Sequence, residues 1–192
     1  MDSKHNGTAA LSRRALLGAW AGIAAVSAAP SFAGTPAVLT GAGNIRRISM
    51  HSGRSGERID TIYWIDGEYV REALDEIAFF MRDWRQNEIK AINPALIDVM
   101  AAAHRRMETD QPYQLMSGYR SSATNALLRR SNRGVARNSY HTKGMAADLK
   151  LANRGTWDMY RAAVACAGGG VGRYRRSGFV HMDCGPVRTW QG

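Results

Sequence analysis

Cysteine is nearly missing from this chain: Cys166 and Cys184 are the only two in 192 residues. Neither has CxxC spacing, which rules out a cysteine-rich metal site. Acidic side chains are also scarce, 16 against 26 basic ones, for a formal net charge of +10. That balance favours anionic partners. The basic residues are scattered, however, and no nucleic-acid-binding motif accompanies them, so nucleic acid is not expected as a partner. A basic surface that only confers solubility accounts for the same composition. Long apolar runs are limited to one, Ala15 to Ala29. It is too short to span a bilayer well, since a span needs about 20 residues.

That run lies in a leader. Ser12-Arg13-Arg14-Ala15-Leu16-Leu17 is a twin-arginine signature, and Pro30-Ser31-Phe32-Ala33 offers small residues where a signal peptidase reads. Residues 1–33 are therefore read as a twin-arginine export signal, cut after Ala33. The membrane is met only transiently, through this signal, and the expected location is the periplasm. There the anionic partner is the cell-wall polymer with its acidic peptides. An oxidising compartment permits a disulfide between Cys166 and Cys184, although nothing in their spacing shows that they meet. A catalytic thiol at Cys184, near His181, is a poor choice in an exported protein. Residues 34–45 are small and unpatterned and read as a flexible linker. Residues 46–192 are left as one domain, long enough for a real core and without internal repeats.

Within that domain the periodicity changes several times. Arg47 to His51 and Arg58 to Ile65 alternate as strands around the loop Ser52 to Glu57. From Arg71 to about Arg85, Leu74, Ile77, Ala78, Met81 and Trp84 recur at helical spacing. Asn93-Pro94 predicts a helix start with Asn93 as cap, and Leu96, Ile97, Met100, Ala103 and Met107 form its buried face. His104 on this helix reads as structural or exposed. A strand at Tyr113 to Gly118 and a short helix from Ser121 to Arg130 follow. A strand at Met145 to Leu151, a helix at Thr156 to Ala167, and closing strands at Val171 to Tyr174 and Gly178 to Asp183 complete the pattern. This mixture predicts an α+β domain.

The chemistry concentrates in two segments, Ser139-Tyr140-His141-Thr142-Lys143-Gly144-Met145-Ala146-Ala147-Asp148 and Phe179-Val180-His181-Met182-Asp183. Alternation puts Ala146, Asp148 and Lys150 on one face of their strand and Ala147, Leu149 and Leu151 on the core face. Phe179, His181 and Asp183 share a face of the second strand. If the strands pair, Asp148 and His181 converge, and Gly144 lets the loop turn His141 back towards them. Two imidazoles and a carboxylate match a catalytic zinc site with three protein ligands and a fourth position for water, whose natural reaction is amide hydrolysis. The same residues also fit an ordinary hydrogen-bonded His–Asp pair at a strand edge.

Three ordered motifs resemble a known family. They are Ser117-Gly118-Tyr119-Arg120-Ser121, the His141–Asp148 segment, and Gly178-Phe179-Val180-His181-Met182-Asp183-Cys184-Gly185-Pro186-Val187-Arg188-Thr189-Trp190. Together they resemble the zinc-peptidase superfamily of D-Ala-D-Ala carboxypeptidases, lysostaphin-type enzymes and the hedgehog amino-terminal domain. Within it they are most similar to the exported murein endopeptidase K group. The resemblance implies a central, mainly antiparallel sheet with flanking helices. It also implies zinc on His141, Asp148 and His181, and peptidoglycan peptide crosslinks as substrate. It gives Arg120 the task of stabilising the oxyanion, for which the plain alternative is a surface salt bridge. Many relatives carry a Glu or His three residues before the last ligand as general base, where this chain has Gly178. Asp183 is then either the base or a group that orients His181. The competing functions are a zinc-containing wall-binding protein without turnover and a D-Ala carboxypeptidase.

Overall fold

The computed structural model describes residues 44–192 apart from Arg133. The export signal and nearly all of the linker read from the sequence lie outside the described residues. Strands β1 (Ile45–Ser52) and β2 (Arg58–Ile65) form the expected antiparallel hairpin, and the short β3 (Glu68–Tyr69) folds back on β2. Helices α1 (Arg71–Phe80) and α2 (Pro94–Arg106) lead to β4 (Tyr113–Ser117). Then come α3 (Ser122–Ser131), β5 (Ala146–Lys150), α4 (Thr156–Cys166), β6 (Gly170–Tyr174), β7 (Phe179–Asp183) and β8 (Arg188–Gln191). All eight strands join one sheet in the order β3-β2-β1-β4-β5-β7-β6-β8. Neighbours are antiparallel except β1/β4 and β6/β8, so the domain is α+β with a mainly antiparallel sheet.

Local signals explain most of these bounds. Asn93 caps α2, its side chain accepting from the Ala95 N–H at 3.0 Å, with Pro94 at the first position where no donor is needed. Ser121 caps α3 through the Thr124 N–H at 3.1 Å. The alternation in β5 and β7 sends Ala147, Leu149, Val180 and Met182 into the core, where they meet Leu96, Met100 and Met159 from the helices. Each buried Leu, Val or Met side chain contributes roughly 1.5–3 kcal/mol relative to exposure. The opposite faces of β5 and β7 are left for the polar side chains.

Two elements differ from the periodicity. Helix α1 stops at Phe80 rather than continuing to Arg85. Asp83 is fully buried, and its carboxylate accepts from the N–H of Ser121 at 2.9 Å and of Arg85 at 3.0 Å. Its backbone bridges Glu88, and Trp84, expected on the core stripe, is 46% exposed. A tertiary demand on Asp83 overrides the helical pattern. The second difference is β8, which the sequence reading did not include. Only four residues long, it has no apolar run, and it adds parallel to β6 because Gly172 leaves room for the Trp190 ring. A Cβ at Gly172 would stand 2.3 Å from that ring.

Gly144 has φ of 68°, and a Cβ there would stand 2.4 Å from the Ala91 carbonyl oxygen. Its own carbonyl accepts from the Asn93 N–H at 2.9 Å, tying the turn to the start of α2. Gly144→Ala is expected to cost about 1–3 kcal/mol through strain and displacement. Urea unfolding reads this as a lowered midpoint, and an unchanged midpoint would contradict the role given to the turn.

Candidate metal centre

Strand pairing places Asp148 directly opposite His181 in the β5/β7 register. His141 enters from a 3₁₀ turn, Tyr140–Lys143, that ends at Gly144. Among the described residues, His141, Asp148 and His181 form the single group of side chains able to share a metal ion, and all three are buried. His141 Nε2 lies 3.2 Å from Asp148 Oδ1 and 3.3 Å from His181 Nδ1, and His181 Nδ1 lies 3.0 Å from Asp148 Oδ1. Tetrahedral bonds of 2.0–2.1 Å around one zinc ion imply ligand separations of roughly 3.3 Å.

The outer nitrogens decide what these atoms are. His141 Nδ1 meets the Gly118 carbonyl at 2.7 Å, an acceptor only, so Nδ1 carries the hydrogen. His181 Nε2 meets the Asp183 carboxylate at 2.9 Å and carries its hydrogen there. In the neutral tautomers, both inward-facing nitrogens are therefore bare lone pairs, set against each other and a carboxylate. Three mutually repelling donors held this close suit a cation. An ordinary His–Asp pair would not need the second imidazole.

The electrostatics follow from burial and these partners. Burial is the largest influence on His141 and pushes its pKa down, against the pull of Asp148. Burial also favours a neutral His181, but the carboxylates of Asp148 and Asp183 outweigh it and raise its pKa. For Asp148, burial is outweighed by His141, His181 and Arg120, which hold its carboxyl well below the ordinary range. Asp183 has no exposed surface. Its Oδ1 accepts from the N–H groups of Gly170 and Gly185 and from Arg188. Its Oδ2 takes His181 and a second Arg188 nitrogen at 2.7 Å. Burial opposes ionisation of Asp183, but His181, Arg188 and the Gly185 N–H outweigh it and hold the carboxyl far below its usual value.

Arg120 is not on the surface. Its Nε donates to Ser117 Oγ at 2.7 Å, and its terminal nitrogen donates to Asp148 Oδ2. The Arg120 backbone N–H donates to the His141 carbonyl at 3.2 Å, so the segment Gly118 to Arg120 grips His141 at ring and backbone. Gly118 is required there, since a Cβ would stand 2.4 Å from the Met81 carbonyl oxygen. Gly178 sits in the β6/β7 turn with φ of 66°, and a Cβ on it would face Lys150 Nζ at 3.6 Å.

The three grouped side chains open onto a cleft of about 600 Å³, whose walls include Arg120, Tyr140, Arg176 and Trp190. A cavity of about 630 Å³ beside Arg106 and Arg154 holds no comparable group of ligating side chains. Cys166 and Cys184 are free thiols. Burial pushes Cys184 up to about 11, unsuited to a nucleophile. Sequence reasoning gave no role to Arg188, which grips Asp183 and stands over the rings of Tyr140 and Trp190. Its place five residues after Asp183, in the third motif, was the available signal.

Residues 40–190 match the family described as peptidoglycan L,D-endopeptidase MepK. The chain belongs to the MepK family. It is 41% identical over 145 residues to the peptidoglycan L,D-endopeptidase MepK of Escherichia coli K12, covering 76% of this chain and 80% of that protein. It is 34% identical over 148 residues to a probable MepK of Haemophilus influenzae, covering 77% and 80%. The solved structure of the Serratia marcescens L-Ala D-Glu endopeptidase ChiX aligns with a TM-score of 0.34 and 19% identity over 50% of this chain and 68% of that one. The match to the MepK family spans all three motifs that hold the grouped side chains.

Proposed function

We propose that this chain is a zinc-dependent peptidoglycan L,D-endopeptidase that hydrolyses peptide crosslinks of the cell wall. The observation that carries the reading is the trio of bare donor atoms of His141, Asp148 and His181, 3.0–3.3 Å apart at a cleft. Membership of the MepK family supports the substrate class. His141 Nε2, Asp148 Oδ1 and His181 Nδ1 would hold the ion. Zinc in such a site lowers the pKa of water and polarises a carbonyl. Arg120, on the far oxygen of Asp148 and lining the cleft, supplies N–H donors to the oxygen on which negative charge develops. Asp183 orients His181 and fixes its tautomer. Its two filled oxygens and lack of exposed surface favour that role over one as general base.

Asp183→Asn keeps the shape and removes the charge behind His181. The expected result is a 10–100-fold loss in metal affinity, the usual effect of removing such a partner. Competition with a chelating dye measures it, and unchanged affinity would contradict the orienting role. The leader residues support export through the twin-arginine route to the periplasm. Replacing Arg13 and Arg14 with Lys is expected to leave the precursor uncleaved in the cytoplasm.

Incubating the metal-loaded protein with purified crosslinked muropeptides, with products read by mass spectrometry, tests the activity. Conversion of 3-3 linked dimers to monomers, abolished by chelator, is the expected outcome. Zinc uptake without products would favour the wall-binding alternative. One observation speaks for that alternative: Asp148 is the only acidic side chain among the described residues lining the cleft.

A further inference from the structure

Three guanidinium groups border the cleft, and two are engaged. Arg120 is held by Ser117 and Asp148, and Arg188 by both oxygens of Asp183. Arg176 is exposed at the tip of the β6/β7 turn, lines the same cleft, and has no hydrogen-bond or ion-pair partner among the described residues. Its turn is well braced. The Gly178 N–H closes it onto the Tyr174 carbonyl at 2.9 Å, and Tyr174 stacks on Phe179 with centroids 4.5 Å apart. Trp190 Nε1 donates to the Tyr174 hydroxyl at 3.0 Å, while the Trp190 ring lies 5.2 Å from that of His181. An aromatic shelf thus runs from the metal-ligating group to an unpartnered cation. Phe179 is two residues along β7 from His181, a span of about 7 Å.

The substrate chemistry has a group for each part. In a 3-3 crosslink, the nitrogen of the cut amide belongs to the D-centre of a diaminopimelate residue. That centre bears a carboxylate with no further residue attached, and an aliphatic chain leads away from it. A guanidinium is the side chain best matched to a carboxylate, and an aromatic shelf suits a methylene chain.

We infer that Arg176 is a specificity-determining residue that binds the free carboxylate beside the scissile amide, with Tyr174, Phe179 and Trp190 under the aliphatic chain. This rests on the proposed L,D-endopeptidase activity. Neighbouring Arg175 is also exposed but does not line the cleft, so it supplies a control of equal charge.

The test compares two 3-3 linked dimers, one with the D-centre carboxylate free and one with it amidated, through steady-state kinetics of wild type, Arg176→Ala, Arg176→Glu and Arg175→Ala. Arg176→Ala is expected to raise KM for the carboxylate dimer by about tenfold, as for loss of a hydrogen-bonded charge partner, with kcat near wild type. The amidated dimer should be nearly indifferent to this change, and Arg176→Glu should reverse the preference between dimers. Arg175→Ala should behave as wild type. Equal effects on both dimers, no effect on either, or the same effect from Arg175→Ala would overturn the inference while leaving the activity intact. Failure of metal-loaded wild type to cut either dimer would overturn the proposed function and this inference together.

Discussion

Replacing His141 or His181 by Ala should give a folded protein that binds metal poorly and turns over substrate only at background. Each residue supplies one of three donors. Protein-bound structural zinc has apparent binding free energies of about 10–16 kcal/mol, so one donor in three is worth on the order of 4 kcal/mol, or about a thousandfold in affinity. The two variants differ in what they leave behind. His141→Ala strands the buried Gly118 carbonyl, a further cost to stability of about 1–3 kcal/mol. His181→Ala leaves Asp183 still paired with Arg188. Elemental analysis with circular dichroism on both proteins checks the outcome, and stoichiometric metal in either would contradict the ligand assignment. Proton competition follows the same geometry. Because the pKa of His181 is raised in the metal-free protein, its Nδ1 keeps a proton to higher pH than an ordinary imidazole. Metal affinity is therefore expected to fall as pH drops through that raised value.

Arg120→Ala should retain the metal and lose about 10²–10³ in kcat, the usual effect of removing a donor aimed at a developing oxyanion. Asp148 keeps its place after this change, since β5 is paired on both sides with β4 and β7. Arg120→Lys should recover little of the loss. One ammonium cannot reproduce the planar fork that reaches Ser117 Oγ and Asp148 Oδ2 together. Wild-type kcat in Arg120→Ala would remove Arg120 from the chemistry and leave it as a charge partner of Asp148.

The pairing of Asp148 with His181 was legible in the sequence because both lie in strands whose alternation separates an apolar face from a polar one. The cap at Asn93 and the turn at Gly144 were legible for the same local reason. The length of α1 was not, because Asp83 leaves the helix to serve a loop 38 residues away. Strand β8 was not, because its membership depends on the space that Gly172 leaves over β6 rather than on any apolar pattern of its own. The missing base at Gly178 looked like a defect in the sequence. In the structure Gly178 holds a left-handed turn, a conformation that disfavours the Glu or His of other members, and a Cβ there would face Lys150. Asp183 could be read from spacing as either base or orienter. Its full set of partners, Gly170, Gly185, Arg188 and His181, supports the orienting role proposed for it.

The proposed hydrolysis depends most directly on where an ion sits. A crystal of natively purified protein, measured on both sides of the zinc absorption edge, should give one strong anomalous difference peak within bonding distance of His141 Nε2, Asp148 Oδ1 and His181 Nδ1. A map with no peak there, from protein purified without chelator and supplied with zinc, would contradict the metal centre and the hydrolytic function built on it.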